Sequence, residues 1–188
     1  MAQGKPRTQQ PYDPSRPLSQ QIELPRISLE DQIFIAKHQK KNAGGGSILG
    51  KIWNAPNTAL GLLYGGLGYV AGKAMGTDPH ISIGGNAIEF TNNPFGGVGA
   101  ITLGNTTTYS PGLSPNDVDP ETGVPVWEHE KQHTYQGEVL GPLYLPSNLI
   151  GGLSALLFDR DKHGDRNWHG EHNWNETGPQ MNPPKPWP

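Results

Sequence analysis

Two histidines and a glutamate stand close together at His129-Glu130-Lys131-Gln132-His133. On a helix, residues four apart leave the same face about one turn apart. Both imidazoles can then reach one Zn²⁺, whose bonds to nitrogen are about 2.0–2.1 Å long. Glu130 falls beside such an ion rather than on it. There it can take a proton from a water molecule whose pKa the metal lowers to about 7. The chemistry this spacing permits is metal-assisted hydrolysis. The plain alternative is a solvated helix face that happens to carry these residues.

Two histidines do not complete a catalytic zinc site, which uses three protein ligands and keeps the fourth position open. The first choice for the third ligand is Glu176, 43 residues beyond His133. His169 and then His172 are the alternatives. His172 and Glu176 are four apart, so one can act as ligand and the other as its supporting neighbour. His163 ranks lower because it sits in a charged turn with Asp159, Arg160, Asp161 and Lys162. Tyr144, His169 and His172 are candidates to stabilise an oxyanion. Each later histidine also has an ordinary reading as a surface residue.

The motif needs a helix to hold it. Val126 to Leu140 supplies one of three to four turns: Pro125 suits a first turn, Thr122 is a nearby cap, and Gly137 and Gly141-Pro142 are stop signals. Before it come two hairpin patterns. His80–Ile83 and Ala87–Phe90 flank Gly84-Gly85-Asn86, and Ala100–Leu103 and Thr106–Tyr109 flank Gly104-Asn105. Four short strands are therefore expected to form a small antiparallel sheet beside the motif helix. After it, Ser147 is expected to cap an apolar helix over 148–158. Trp187, in the Pro-rich end, is expected to act as a buried anchor.

Farther upstream, residues 48–75 are apolar and Gly-rich, with 21 uncharged residues between Lys51 and Lys73. That length can cross a bilayer. Asn54, Pro56, Asn57 and Thr58 favour a packed helix instead, with Gly61, Gly65 and Gly68 allowing close approach. Membrane contact through 48–75 stays open as an alternative.

The chain has 188 residues, 26 Gly, 19 Pro and only 33% hydrophobic residues. This describes a loop-rich α+β fold rather than a helical bundle. The formal charge of −3 gives no sign of a nucleic-acid binder. Positive charge gathers in the first 51 residues, and a Pro-rich basic arm with a short helix over 29–41, begun by Ser28, is expected in residues 1–43. Residues 44–188 form the expected catalytic domain. No cysteine is present, which excludes disulfides and thiolate ligands. The first thirty residues lack an apolar core of the secretory-signal kind. Export would then need a specialised bacterial secretion system, and without one the protein would be cytoplasmic.

The H-E-x-x-H motif resembles that of zincin metallopeptidases. More narrowly, residues 50–188 resemble small bacterial proteins regarded as zinc peptidases, some of them toxins or effectors. The stretches that carry this likeness are Gly85-Asn86-Ala87-Ile88, Gly99 to Asn105, His133-Thr134-Tyr135-Gln136, Gly141 to Pro146, and Glu176-Thr177-Gly178-Pro179. The chain departs from metzincins, because Gln136 and Val139 stand where that class has glycine and histidine. The resemblance implies a zincin-like fold, a sheet edge beside the metal helix, and a protein, peptide or cell-wall peptide substrate. An immunity protein, other inhibitor or secretion chaperone is implied as a partner. Two rival expectations remain: a membrane-disrupting toxin with a structural metal, and a non-catalytic binding module stabilised by zinc.

Overall fold

The structure, a computed structural model, describes residues 46–97 and 99–188. The N-terminal arm and the helix expected over 29–41 lie outside the described residues. Ser47 opens the first helix, α1 (Ile48–Trp53), its hydroxyl accepting from the Gly50 N–H at 3.0 Å. Helix α2 (Ala55–Met75) has Pro56 in its first turn and ends at Gly76 in the left-handed region. It packs by its small side: Asn57, Gly61, Gly65, Gly68 and Gly72 are buried. A Cβ at Gly65 would lie 2.5 Å from the Phe90 ring, so the glycine lets the helix backbone rest on the sheet. The large side of α2, with Leu60, Leu63, Leu67 and Val70, is exposed.

Strands β1 (His80–Gly84) and β2 (Ala87–Thr91) form the first hairpin, closed by Gly85 and Asn86 at positive φ. Strands β3 (Ala100–Thr102) and β4 (Thr106–Tyr109) form the second. The sheet order is β1-β2-β4-β3, and β2 pairs with β4 in parallel. The expected antiparallel sheet is thus corrected to a mixed one. Each hairpin is local and antiparallel, but the link through the 3₁₀ turn at Pro94–Gly96 carries the chain past β4's place. It lays β3 at the edge, and β4 then fills the gap running alongside β2.

Helix α3 (Val126–Leu140) packs against edge strand β3 and against α1. Thr122 does not cap it. Its hydroxyl accepts from Val124 N–H, and Pro125 occupies the cap position without a side-chain bond. A 3₁₀ turn (Gly141–Leu143) leads into α4 (Tyr144–Phe158), which starts earlier than the sequence pattern indicated. Ser147 therefore lies inside α4, and its hydroxyl accepts from Trp174 Nε1 and Asn175 Nδ2 instead. Helix α4 also packs by small residues, Gly151, Gly152 and Ala155, while Leu149, Ile150, Leu153 and Leu157 are exposed. The last helix, α5 (Trp174–Thr177), is capped by Asn173. Trp187 is half-buried, and its backbone packs on Gly178.

Among the described residues, the buried apolar set is small: Ala87, Phe90, Tyr109, Val124, Tyr144 and Ala155. Most buried side chains are polar, so the interior is held largely by hydrogen bonds, each of which needs its partner in place.

Candidate metal centre

Helix α3 carries His129, Glu130 and His133 on the side facing β3, α4 and α5. The i,i+4 spacing brings the two ring Nε2 atoms to 3.1 Å of each other. Asn173 starts α5 so that Glu176 falls in its first turn, buried, with Oε2 at 3.2 Å from His129 Nε2 and 3.5 Å from His133 Nε2. Three ligands about 2.0–2.1 Å from one tetrahedral centre stand about 3.3–3.4 Å apart. The three separations straddle that value. Glu176 Oε2 is also a buried oxygen for which no contact among the described residues has hydrogen-bond geometry, and the two histidine nitrogens are the groups within ion-pair reach of it. The set His129, His133 and Glu176 can hold a metal ion.

The electrostatics follow from this crowding. Burial opposes charge on His133, but the Glu176 carboxylate, with Glu130 and Gln136, more than offsets it and lifts the ring's pKa to about 9. Burial likewise opposes charge on Glu176, and the three histidines around it, His133 first, hold its carboxyl well below the usual range. As protein alone, the pair is an imidazolium against a carboxylate.

The remaining residues are arranged around this group. Glu130 is buried, and its Oε2 accepts from the Thr102 hydroxyl at 2.7 Å. Tyr144 is fully buried with its ring 6.4 Å from that of His133. Burial, with the nearby Glu176 and Glu130 charges, raises its phenol pKa, so the hydroxyl keeps its proton. His169 is exposed and stacks on His129 with ring centroids 6.4 Å apart. The structure does not bring His172 into the group: its Nδ1 sits 2.6 Å from Asp159 Oδ1. His163 is exposed in a turn folded around the Asp161 carboxylate.

Above the three side chains opens a cleft of about 390 Å³. One wall is β3 with Leu103 just after it. The other is the start of α4, with Tyr144, Leu145, Asn148 and Leu149, and Trp168 and His169 close one end. The free edge of β3 thus runs along the site.

Sequence reasoning missed two residues. Thr102 was legible only as a strand position; the alternation that turns Ile101 away from α3 is what turns Thr102 toward it. Gln136 follows His133 by three, a spacing that puts it beside that ring. No family model, no curated protein and no solved structure matches this chain.

Proposed function

We propose that this chain is a zinc-dependent hydrolase of peptide or amide bonds with a zincin-like active site, acting as an antibacterial effector. The observation that carries the reading is Glu176 Oε2, buried without a contact of hydrogen-bond geometry among the described residues and within 3.5 Å of both histidine nitrogens. His129, His133 and Glu176 are the ligands. Zinc bound there would supply a Lewis acid that polarises the scissile carbonyl and acidifies water. Glu130 is the general base: it takes the proton of the attacking water and returns it to the leaving amine. Tyr144, kept protonated by burial, can donate to the developing oxyanion. The β3 edge and the apolar α4 wall suit an extended protein or cell-wall peptide. In this reading a specialised secretion route delivers the protein, and an immunity protein, other inhibitor or chaperone restrains it.

Elemental analysis tests the ligand set. Wild type and Glu130→Gln should each carry one zinc, Glu176→Ala should lose it, and His172→Ala should keep it. Zinc-free wild type would end the reading. Expression in the cytosol and periplasm of a test bacterium checks the effector role. Growth arrest in one compartment, relieved by Glu130→Gln, supports it, and arrest in neither removes it.

A second reading has its own observation. The outward side of α2 is leucine-rich, and no charge lies between Lys51 and Lys73. Small residues inward with bulky apolar ones outward is how helices present themselves to lipid. We propose that residues 48–75 contact a bilayer. Co-flotation with liposomes that is lost in Leu63→Glu/Leu67→Glu, and survives Glu130→Gln, supports it. No flotation of wild type removes it.

A further inference from the structure

The side chain of Gln136 is fully buried and touches three things at once. Its Nε2 lies 2.7 Å from the Asn175 carbonyl and also bonds the Pro186 carbonyl. Its Oε1 lies 2.9 Å from His133 Nδ1. Backbone carbonyls only accept, so the atom facing them must be the NH₂ group. The other end is then an acceptor, and His133 Nδ1 must carry the proton that meets it. A neutral imidazole has one N–H, so the lone pair is left on Nε2, the atom that faces His129 and Glu176. Two carbonyls far from α3 in sequence thereby decide which nitrogen of His133 can bind a metal.

The same amide joins the two ligand-bearing segments. Asn175 precedes Glu176, so one bond spans from the His133 ring to the backbone beside the third ligand. Pro186 adds the C-terminal tail, which is tied down nearby: Lys185 N–H donates to the Gly178 carbonyl at 3.1 Å. A Cβ at Gly178 would stand 2.6 Å from Trp187 Cα, so the tail backbone rests directly on the end of α5.

We propose that Gln136 is the positioning residue of this centre and that the tail, through Pro186, is part of the same support. The inference rests on the zinc reading for its purpose, and on the protein alone for the tautomer. Groups that orient ligating histidines in this way typically change metal affinity by about 10–100-fold when removed.

The test uses the full chain and Zn²⁺ itself. Chelator competition should show Gln136→Leu binding zinc about 10–100-fold more weakly than wild type, and a chain lacking residues 183–188 weakened in the same direction. ¹⁵N NMR of the metal-free wild type at pH 10 should show His133 with its proton on Nδ1, and Gln136→Leu should show a mixture of tautomers. A folded Gln136→Leu with zinc affinity within twofold of wild type overturns the proposal. So does a wild-type His133 protonated on Nε2, a result that stands even if the variant does not fold. Wild type that binds no zinc defeats the functional reading, and the NMR result still decides the tautomer.

Discussion

The hydroxyl of Thr102 donates to Glu130 Oε2 at 2.7 Å, and the sense of that bond fixes the next one. An ionised carboxylate can only accept, so Thr102 must spend its proton there. The contact of 2.9 Å between Thr102 and Thr107 hydroxyls therefore runs from Thr107 to Thr102. Both threonines are buried. One oxygen of Glu130 is held by the sheet, and the residue lines the cleft.

Thr102→Val keeps the shape and removes the donor. It should lower the hydrolysis rate by about tenfold, a fraction of the roughly 10²–10⁴-fold that a positioned general base contributes, while zinc content stays at one per chain. Thr102→Ser should restore most of the rate. Rate assays beside metal analysis check both, and loss of zinc in Thr102→Val would contradict the assignment.

Zinc binding should release a proton. In the metal-free protein His133 stays protonated up to about pH 9, and a ligating imidazole must be neutral. At pH 7 calorimetry in buffers of different ionisation enthalpy should find at least one proton released per zinc, falling away above pH 9. The stability sign follows. A pKa raised above its unfolded value stabilises the fold fully below about 6.5 and loses that contribution as pH rises through 9. The melting temperature gained on adding zinc should therefore be larger at pH 8.5 than at pH 6.5.

Adjacent glycines on α2 should respond in opposite directions. A Cβ at Gly65 would press on the Phe90 ring, whereas one at Gly66 would meet nothing within 4 Å. Gly65→Ala should cost about 1–3 kcal/mol by overpacking. Gly66→Ala should gain about 0.5–1 kcal/mol, because a glycine inside a helix is replaced without strain. Urea denaturation of the two variants gives the comparison.

Local patterns carried much of the fold, and nonlocal ones did not show. Turn chemistry at Gly85-Asn86 and Gly104 marked both hairpins, because φ > 0 at a tight turn is a residue-level requirement. The parallel pairing of β2 with β4 depends on how the two hairpins dock, and no short pattern encodes that. The i,i+4 rule placed His129 and His133 together, since helix geometry alone decides it. The position of Glu176 depends on α4 and on the Asn173 cap. The apolar run at 48–75 was legible as a helix, but which side would pack was legible only from its glycines. Least visible were Asn86 and Asn105, which read as turn residues, and Asn54, which read only as a polar residue in an apolar run; all three join one hydrogen-bonded network.

Glu138 is the node of that polar interior, and its loss should be felt across three segments. Its Oε1 accepts from Lys51 Nζ at 2.7 Å, Asn86 Nδ2 at 2.8 Å and Asn105 Nδ2 at 2.9 Å. Asn86 also donates to Thr134 on α3 and accepts from Gly46 N–H. The node on the back of the motif helix thus ties in three segments: α1 and the turns of both hairpins. Glu138→Ala removes the acceptor that three donors share and should destabilise by about 2–4 kcal/mol. Glu138→Gln keeps an acceptor and should cost less. Lys51→Met should cost least, because Lys51 is 40% exposed and its partners keep one another. Asn86→Gly separates the two duties of that residue. Its backbone at φ 67 suits glycine, so the loss reports the side-chain bonds together with the extra freedom of glycine in the unfolded chain. Denaturant midpoints of the four variants should rank Glu138→Ala lowest and Lys51→Met highest; equal values for those two would mean the node is held by the ion pair and not by the asparagines.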